Sequence, residues 1–315
     1  MKRRLPLIAA VMAAWIVGAT LGSLSAPVAA EAVPLLAVGK VRAGYVPDLE
    51  SDEPIFILAI GSDARVDDGT AVEKGLGDSI HIIGINPKKK AVTILGFPRD
   101  SWVDIPCFGQ GKINNALASG GPECMVETME RLTGIKMDYW MLTSFDGVKD
   151  AVDEIGRLTL EIPFPMNDPY AKSDFSPGTY DLRGYDVLAF GRDRKSFGQG
   201  DFARSENQGR IMVAALAQFR SEFAEDPSRL LDWVGAGMRN VDTDLSLDEL
   251  VRFGFAATSF NPEKVENIVV PGSIGMEGEQ SVVFITNAAR PIYADMKKDG
   301  VVARNNLPPS PTAGE

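Results

Sequence analysis

The apolar positions of this chain fall into short, dense runs set between polar turns. Residues 55–60 are continuously apolar, the pattern of a strand buried on both faces. Residues 79–85 and 91–97 predict two more strands on either side of Asn86-Pro87-Lys88-Lys89-Lys90, a solvated hairpin turn. Residues 137–142, 158–162 and 265–270 predict further strands. Apolar residues at helical spacing predict helices over 123–133, closed by Gly134, and over 145–155, closed by Gly156. Residues 205–223, 247–258 and 286–298 predict three more. Residues 182–190 read as a short helix or turn, and 163–180 as a loop rich in Pro, Asp, Ser and Gly. Strands alternating with helices indicate an α/β layered fold. No composition break divides residues 53–300, which read as one domain, and no internal repeat is visible. The apolar positions Ile211, Val213, Ala215 and Leu216 on the long helix are expected to be core.

The ends differ from this pattern. Met1-Lys2-Arg3-Arg4 is basic, and the chain is then uncharged from Leu5 to Ala30. That length suits a membrane-spanning helix, and the basic start places the N-terminus in the cytoplasm and the rest outside. Residues 1–32 are therefore expected to be a signal-anchor of a single-pass membrane protein. Val28-Ala29-Ala30 also fits a signal-peptidase site, which would release a secreted form. Residues 33–52 read as a spacer and 301–315, with three prolines, as a disordered tail.

Charge narrows the chemistry. A formal net charge of −11 argues against a nucleic-acid partner, which needs a broad basic face. The single histidine, His81, lies in an apolar strand and reads as a core or edge histidine. Polar chemistry then falls to Asp, Glu, Arg or a metal. Cys107 and Cys124 are too few for a zinc site. In an exported chain they would close a disulfide, and otherwise they are buried thiols.

Charged residues cluster at element ends. Val92, Ile94 and Phe97 mark a buried strand that stops at Pro98, so Arg99 and Asp100 sit at a strand end, where open α/β sheets bind ligands. Asp63 and Asp78 flank consecutive apolar runs, and two such carboxylates suit a hard cation such as Mg²⁺. Arg99, Arg192, Arg194 and Arg204 offer a clamp for phosphates. Arg204 and Gln208 are one helical turn apart. Carboxylates for a metal together with arginines make a phosphoryl-transfer inventory.

These segments, taken in order, resemble the LytR-CpsA-Psr family. The resemblance runs through Ile60-Gly61-Ser62-Asp63-Ala64-Arg65, Gly77-Asp78-Ser79-Ile80, Ile85-Asn86-Pro87 and Phe97-Pro98-Arg99-Asp100. It continues through Lys112-Ile113-Asn114-Asn115-Ala116, Gly120-Gly121, Arg192-Asp193-Arg194, Asp201-Phe202-Ala203-Arg204 and Gln208. It implies a three-layer α/β/α domain around a mixed sheet, with an apolar tunnel for a prenyl chain. It implies an extracytoplasmic transferase that moves a glycopolymer from a polyprenyl diphosphate to a peptidoglycan sugar through a phosphodiester. By the same resemblance Asp63, Asp78 and Arg99 are catalytic, and Asp63 and Asp78 hold Mg²⁺ (or Mn²⁺). Arg65, Arg99, Arg192, Arg194, Arg204 and Gln208 bind the diphosphate, while Asp100, Lys112, Asn114 and Asp201 support them. The alternatives are a non-catalytic binder of polyprenyl-phosphate lipids and a polyprenyl-diphosphate pyrophosphatase. The chain departs from the family pattern at Leu76-Gly77 and Gln199, where arginines are common.

Overall fold

The computed structural model describes residues 36–42, 52–64, 71–230, 232–233, 241–243 and 245–310. The apolar runs assemble into a central mixed sheet. Its strands, numbered along the chain, are β1 (Leu36–Lys40), β2 (Ile55–Ser62), β3 (Gly77–Asn86), β4 (Ala91–Gly96), β7 (Tyr139–Ser144), β12 (Val241–Thr243) and β13 (Val265–Val269). Their order is β12-β1-β7-β2-β3-β4-β13. β2, β3 and β4 form an antiparallel meander, while β7 lies parallel to β2 and β13 parallel to β4.

Helices cover both faces, because neighbouring strand residues point to opposite sides. Leu58, Ile60, Ile80, Ile82 and Leu95 pack beneath α1 (Asn115–Thr133) and α6 (Ala289–Asp299), where they meet Met125, Ile292 and Met296. Ile83, Ile85, Val92 and Ile94 face Met212, Val213 and Leu216 of α4 (Gly200–Glu225) and Ala256 of α5 (Leu247–Ser259). α1 bends at Gly121, whose φ of 70° is open to glycine at little cost, and resumes at Pro122. A disulfide from Cys107 to Cys124 ties it to the hairpin of β5 (Trp102–Ile105) and β6 (Gly109–Lys112).

A side lobe packs on the other flank of α4. It contains α2 (Phe145–Glu154), α3 (Gly184–Arg192), and the strand pairs β8 (Leu158–Ile162) with β11 (Gly178–Leu182) and β9 (Met166–Asp168) with β10 (Ser173–Phe175). Leu160, Ile162, Val187 and Phe190 form its core, against which Ile211, Ala214 and Ala215 of α4 rest. A last hairpin joins β14 (Gly272–Glu277) to β15 (Gln280–Ile285).

Two glycines set how close α4 lies to the sheet. A Cβ at Gly96 would stand 2.4 Å from Ser205 Oγ, and one at Gly209 would stand 1.9 Å from Asn267 Oδ1. Any larger residue would push the helix outward, so these positions fix the N-terminal half of α4 against the strand ends.

Four sequence expectations change. The spacer 33–52 contains β1, which pairs with β7 and β12 inside the sheet; five residues are too short to show periodicity. The loop 163–180 contains β9, β10 and the start of β11, three-residue to five-residue strands whose turn-rich composition hid them. The tail is packed through residue 310: Val302 is buried and its N–H donates to Thr93 Oγ1, and Ser310 Oγ donates to Glu206 Oε1. The long helix begins at Gly200, so Asp201 and Arg204 stand in its first turns. The apolar positions expected to be core do pack on the clusters, Ile211 and Ala215 against the lobe and Val213 and Leu216 against the sheet, each half-buried. The expected membrane segment, residues 1–32, lies outside the described residues. Among the described residues no helix is long and apolar enough to cross a membrane.

Candidate functional site

The site begins with a defect in a strand pair. Gly61 pairs with Ser79 and Ser62 with Gly77, so Asp78 is the extra residue of a bulge. Bulges re-aim side chains, and here the Asp78 carboxylate meets the guanidinium that follows β4. Arg99 Nη1 donates to both Asp78 oxygens, at 2.5 and 2.6 Å. The bulge also frees the Asp78 carbonyl, which accepts from Gln208 Nε2 of α4 at 3.2 Å. Arg204, one turn earlier on α4, is buried and pairs with Asp201. Asp201 Oδ1 lies 3.9 Å from Arg99 Nε, a buried donor with no hydrogen-bond partner among the described residues.

Electrostatics follow from this packing. Burial works against the Arg99 charge, but Asp78, Asp201 and Asp100 outweigh it and raise its pKa. Burial dominates at Arg204, and with the like charge of Arg99 it holds the pKa below the usual arginine value despite Asp201. Beneath them His81 is fully buried. Its Nε2 lies 3.0 Å from the Ser205 carbonyl and its Nδ1 3.2 Å from Ser79 Oγ, which makes it a neutral link between β3 and α4. Burial lowers its pKa to about 4, and the Ser205 bond only partly opposes this.

The other wall is built differently. Arg192 ends α3, Arg194 and Lys195 lie on the turn that follows it, and none forms an ion pair with a carboxylate among the described residues. Aromatic rings back them instead: the Arg192 guanidinium lies 4.9 Å from the Phe145 ring centroid, and Lys195 Nζ 3.6 Å from that of Tyr170. Such contacts are worth about 0.5–2 kcal/mol and leave the positive charge uncancelled. Two buried carboxylates hold the turn through its backbone and hydroxyls. Asp168 accepts from the N–H groups of Tyr170, Ala171, Arg194 and Lys195. Burial pushes the Asp168 pKa up, but these four donors prevail and hold it below the usual carboxylate value. Asp193 accepts from Ser173 Oγ and from the N–H and Oγ of Ser196.

The two walls enclose a cleft of about 400 Å³ lined by Asp78, Arg99, Arg192, Arg194, Arg204 and Gln208, with Phe145, Asp168, Tyr170, Ala171 and Lys195. Five cations face two carboxylates there, in a chain of net charge −11. Sequence reasoning named the first six. It missed Asp168, although Asn167-Asp168-Pro169 is a turn signal, and it missed Tyr170, which lay in the presumed loop. Asp63 does not line the cleft; it closes the end of β2 onto β3, its N–H donating to the Leu76 carbonyl and its Oδ1 accepting from the Leu76 N–H. Asp100 pairs with Lys112 at 3.0 Å and so acts beside the cleft. Asn114 contributes backbone: its N–H donates to Arg99 O and its carbonyl accepts from Gly77 N–H. Arg65 lies outside the described residues.

Asp63 and Asp78 stand on the paired ends of neighbouring strands and offer only oxygen donors. That donor set fits a hard divalent cation that keeps several waters. Among the described residues no group of three or more metal-binding side chains occurs, so water would complete the shell.

The chain is 30% identical over 232 residues to the polyisoprenyl-teichoic acid–peptidoglycan teichoic acid transferase TagV of Bacillus subtilis, an alignment covering 70% of this chain and 57% of that protein. This chain thus spans less than two-thirds of the relative's length. The crystal structure of B. subtilis TagV superposes with a TM-score of 0.68 at 25% identity, covering 79% of this chain and 98% of that one. TagT solved with bound octaprenyl pyrophosphate lipid superposes with a TM-score of 0.59 at 20% identity, covering 88% and 98%, a likeness of fold. The LytR_cpsA_psr family model matches residues 30–298, and the chain belongs to that family.

Proposed function

We propose that the chain is an extracytoplasmic phosphotransferase that joins a glycopolymer, delivered on a polyprenyl diphosphate, to peptidoglycan. The observation that carries this reading is the order of surfaces along α4. Its first turns bring Arg204 and Gln208 to a five-cation cleft, and its next turns, residues 211–217, are apolar and half-buried between the sheet and the lobe. A diphosphate head followed by a hydrocarbon tail has the same order. The relative TagV, named as a teichoic acid transferase, supports the same chemistry.

In this reading the arginines hold the diphosphate, and Arg99 Nε gains the partner it lacks. An acceptor sugar hydroxyl attacks the phosphorus that bears the glycan. The bond from that phosphorus to the bridging oxygen breaks, and polyprenyl phosphate leaves. Asp78, the paired carboxylate that reaches the cleft, takes the hydroxyl proton and hands it to solvent, while polyprenyl phosphate, whose second pKa of about 6 lies below neutrality, leaves as its dianion. Asp63 and Asp78 would hold Mg²⁺ (or Mn²⁺), which supplies charge neutralisation for the leaving group. Arg192 and Arg194 stabilise the charge that develops as the bond breaks. Residues 1–32 would anchor the enzyme beside its lipid donor, with the domain outside the membrane.

The test incubates the full-length chain with a prenyl-diphosphate glycan, Mg²⁺ and peptidoglycan fragments. Metal-dependent appearance of a glycan–phosphate–fragment conjugate by mass spectrometry is expected. Lipid binding without any conjugate would make the chain a binding protein, and free glycan phosphate alone would make it a hydrolase.

A further inference from the structure

One polar group beneath the cleft takes no part in the chemistry above it. His81 is fully buried on β3, on the face that Ile83 and Ile85 turn toward α4. Its neighbours across the sheet are small: Ala59 on β2 and Gly96 on β4. A Cβ at Gly96 would stand 3.0 Å from His81 Nε2, so the glycine leaves the ring its place between sheet and helix. An apolar residue would fill that place without the cost of burying two nitrogens, unless both are bonded. Both are. A carbonyl only accepts, so the Ser205 carbonyl, 3.0 Å away, requires the ring proton on Nε2. The neutral ring then has a bare Nδ1, which accepts from Ser79 Oγ at 3.2 Å. A directed line of bonds thus runs from the Ser79 hydroxyl through the imidazole to the main chain of α4.

Each end of this line adjoins the cleft machinery. Ser79 follows Asp78 out of the bulge. Ser205 follows Arg204 and lies about one turn before Gln208, whose Nε2 ties back to the Asp78 carbonyl. The line therefore fixes the bulge against the first turns of α4. The same helix carries the lobe, since Ile211, Ala214 and Ala215 rest on the lobe core. The two walls of the cleft meet through α4, and His81 stands at that joint. An in-line displacement needs Asp78 and Arg99 of one wall and Arg192 and Arg194 of the other aligned on one phosphorus. A misplacement of about 1 Å costs such a step on the order of 100-fold. Holding the anion asks for less, because Asp168 sets the Arg194 turn from within the lobe. We propose that His81 is a positioning residue for the transfer step: through Ser79 and Ser205 it locks the Asp78 bulge to the helix turn of Arg204, and so governs turnover rather than lipid binding. The role rests on the transferase reading of the cleft and adds to it a residue that lies outside the cleft.

The test measures kcat and KM of the full-length chain in detergent for a prenyl-diphosphate glycan, with Mg²⁺ and peptidoglycan fragments at pH 7. Affinity for geranylgeranyl diphosphate and the melting midpoint are measured beside them. His81→Leu fills the space and makes neither bond. Its kcat is expected to fall about 10-fold to 100-fold, with KM and the lipid affinity within about threefold of the wild type. Its midpoint should stay within about 4 °C. His81→Gln, whose amide reaches the Ser205 carbonyl from the position of Nε2, should recover most of kcat. Ser79→Ala cuts the line at a half-buried position, so it should lower kcat several-fold and add nothing to His81→Leu in the double variant. A wild-type kcat in His81→Leu, a Gln variant no better than the Leu variant, or losses that multiply in the double variant would overturn the role of His81 and leave the transferase reading standing. So would a loss of kcat matched by equal losses of lipid affinity and midpoint, the mark of a merely structural histidine. Absence of transfer by the wild type would instead overturn the transferase reading, and the role of His81 with it.

Discussion

The two walls of the cleft carry the same kinds of side chain and hold them by opposite means. On the sheet side, half-buried Asp78 and Arg99 and buried Asp201 and Arg204 form a charge-balanced chain. On the lobe side, Arg192, Arg194 and Lys195 are backed by aromatic rings, and their turn is tied down by Asp168 and Asp193. The first wall is ordered by its own charges, and those charges are largely spent on each other. The second is ordered through its main chain, so its charges remain available for an anion. Preorganisation and net attraction are thus divided between the walls. Neither wall could supply both, because an unpaired buried charge is costly and a paired one attracts little.

The division predicts that equivalent-looking substitutions act differently. Arg204→Met leaves Asp201 buried without its partner. It should cost about 3–5 kcal/mol and lower the melting midpoint by about 10 °C, with transfer abolished. Adding Asp201→Leu should recover most of the midpoint and none of the activity. A midpoint unchanged in the single variant, read by calorimetry, would mean the sheet-side wall is not ordered by its charges.

The sheet-side wall should also be the acid-sensitive one. His81 is held neutral with a pKa of about 4, below the ordinary 6.5. The neutral form is the folded form's preference, so its contribution is complete above pH 6.5 and is lost as pH falls toward 4. The full loss is about 3 kcal/mol. Denaturant titrations at pH 7 and pH 4 should show a smaller difference for His81→Gln than for the wild type. Equal differences would place the acid sensitivity elsewhere.

On the lobe side the effect should move from stability to binding. Arg192→Ala and Arg194→Ala should each weaken binding of a prenyl diphosphate by about 10-fold to 100-fold, the worth of charged hydrogen bonds of about 1.5–3 kcal/mol. Their melting midpoints should stay within about 2 °C of the wild type. Asp168→Asn gives the smallest effect and sharpens the contrast most. It removes a negative charge from the cleft, which by itself would strengthen anion binding. It also replaces an acceptor of four backbone N–H groups with an amide that repels some of them, at a cost of about 1–3 kcal/mol. Weaker binding by calorimetric titration would show that holding the turn outweighs the charge; tighter binding would show that it does not.

How much of this was legible beforehand depended on sequence distance. The meander of β2, β3 and β4 was visible because its strands are long and mostly apolar, and the Pro98 stop placed Arg99 just past the end of β4. Asp78 and Gln208 were visible as residue types, but their link through a bulged carbonyl was not, because a bulge is set by register rather than by composition. β1 was invisible for want of length. Asp168 and Tyr170 were hidden in a turn-rich stretch whose order comes from a carboxylate gripping a second, distant turn. Ile211, Val213, Ala215 and Leu216 were legible as core because apolar spacing tells which positions a helix packs, but that they split between two clusters was not.

The most direct test of the central claim follows the phosphate. The full-length chain is incubated in water enriched in ¹⁸O with a prenyl-diphosphate glycan, Mg²⁺ and peptidoglycan fragments, and every phosphorus-containing product is weighed by mass spectrometry. Transfer predicts a conjugate in which glycan and fragment share one phosphate free of ¹⁸O, because the acceptor hydroxyl supplies the new oxygen. Glycan phosphate carrying one ¹⁸O, with no conjugate, would contradict the account and make water the acceptor.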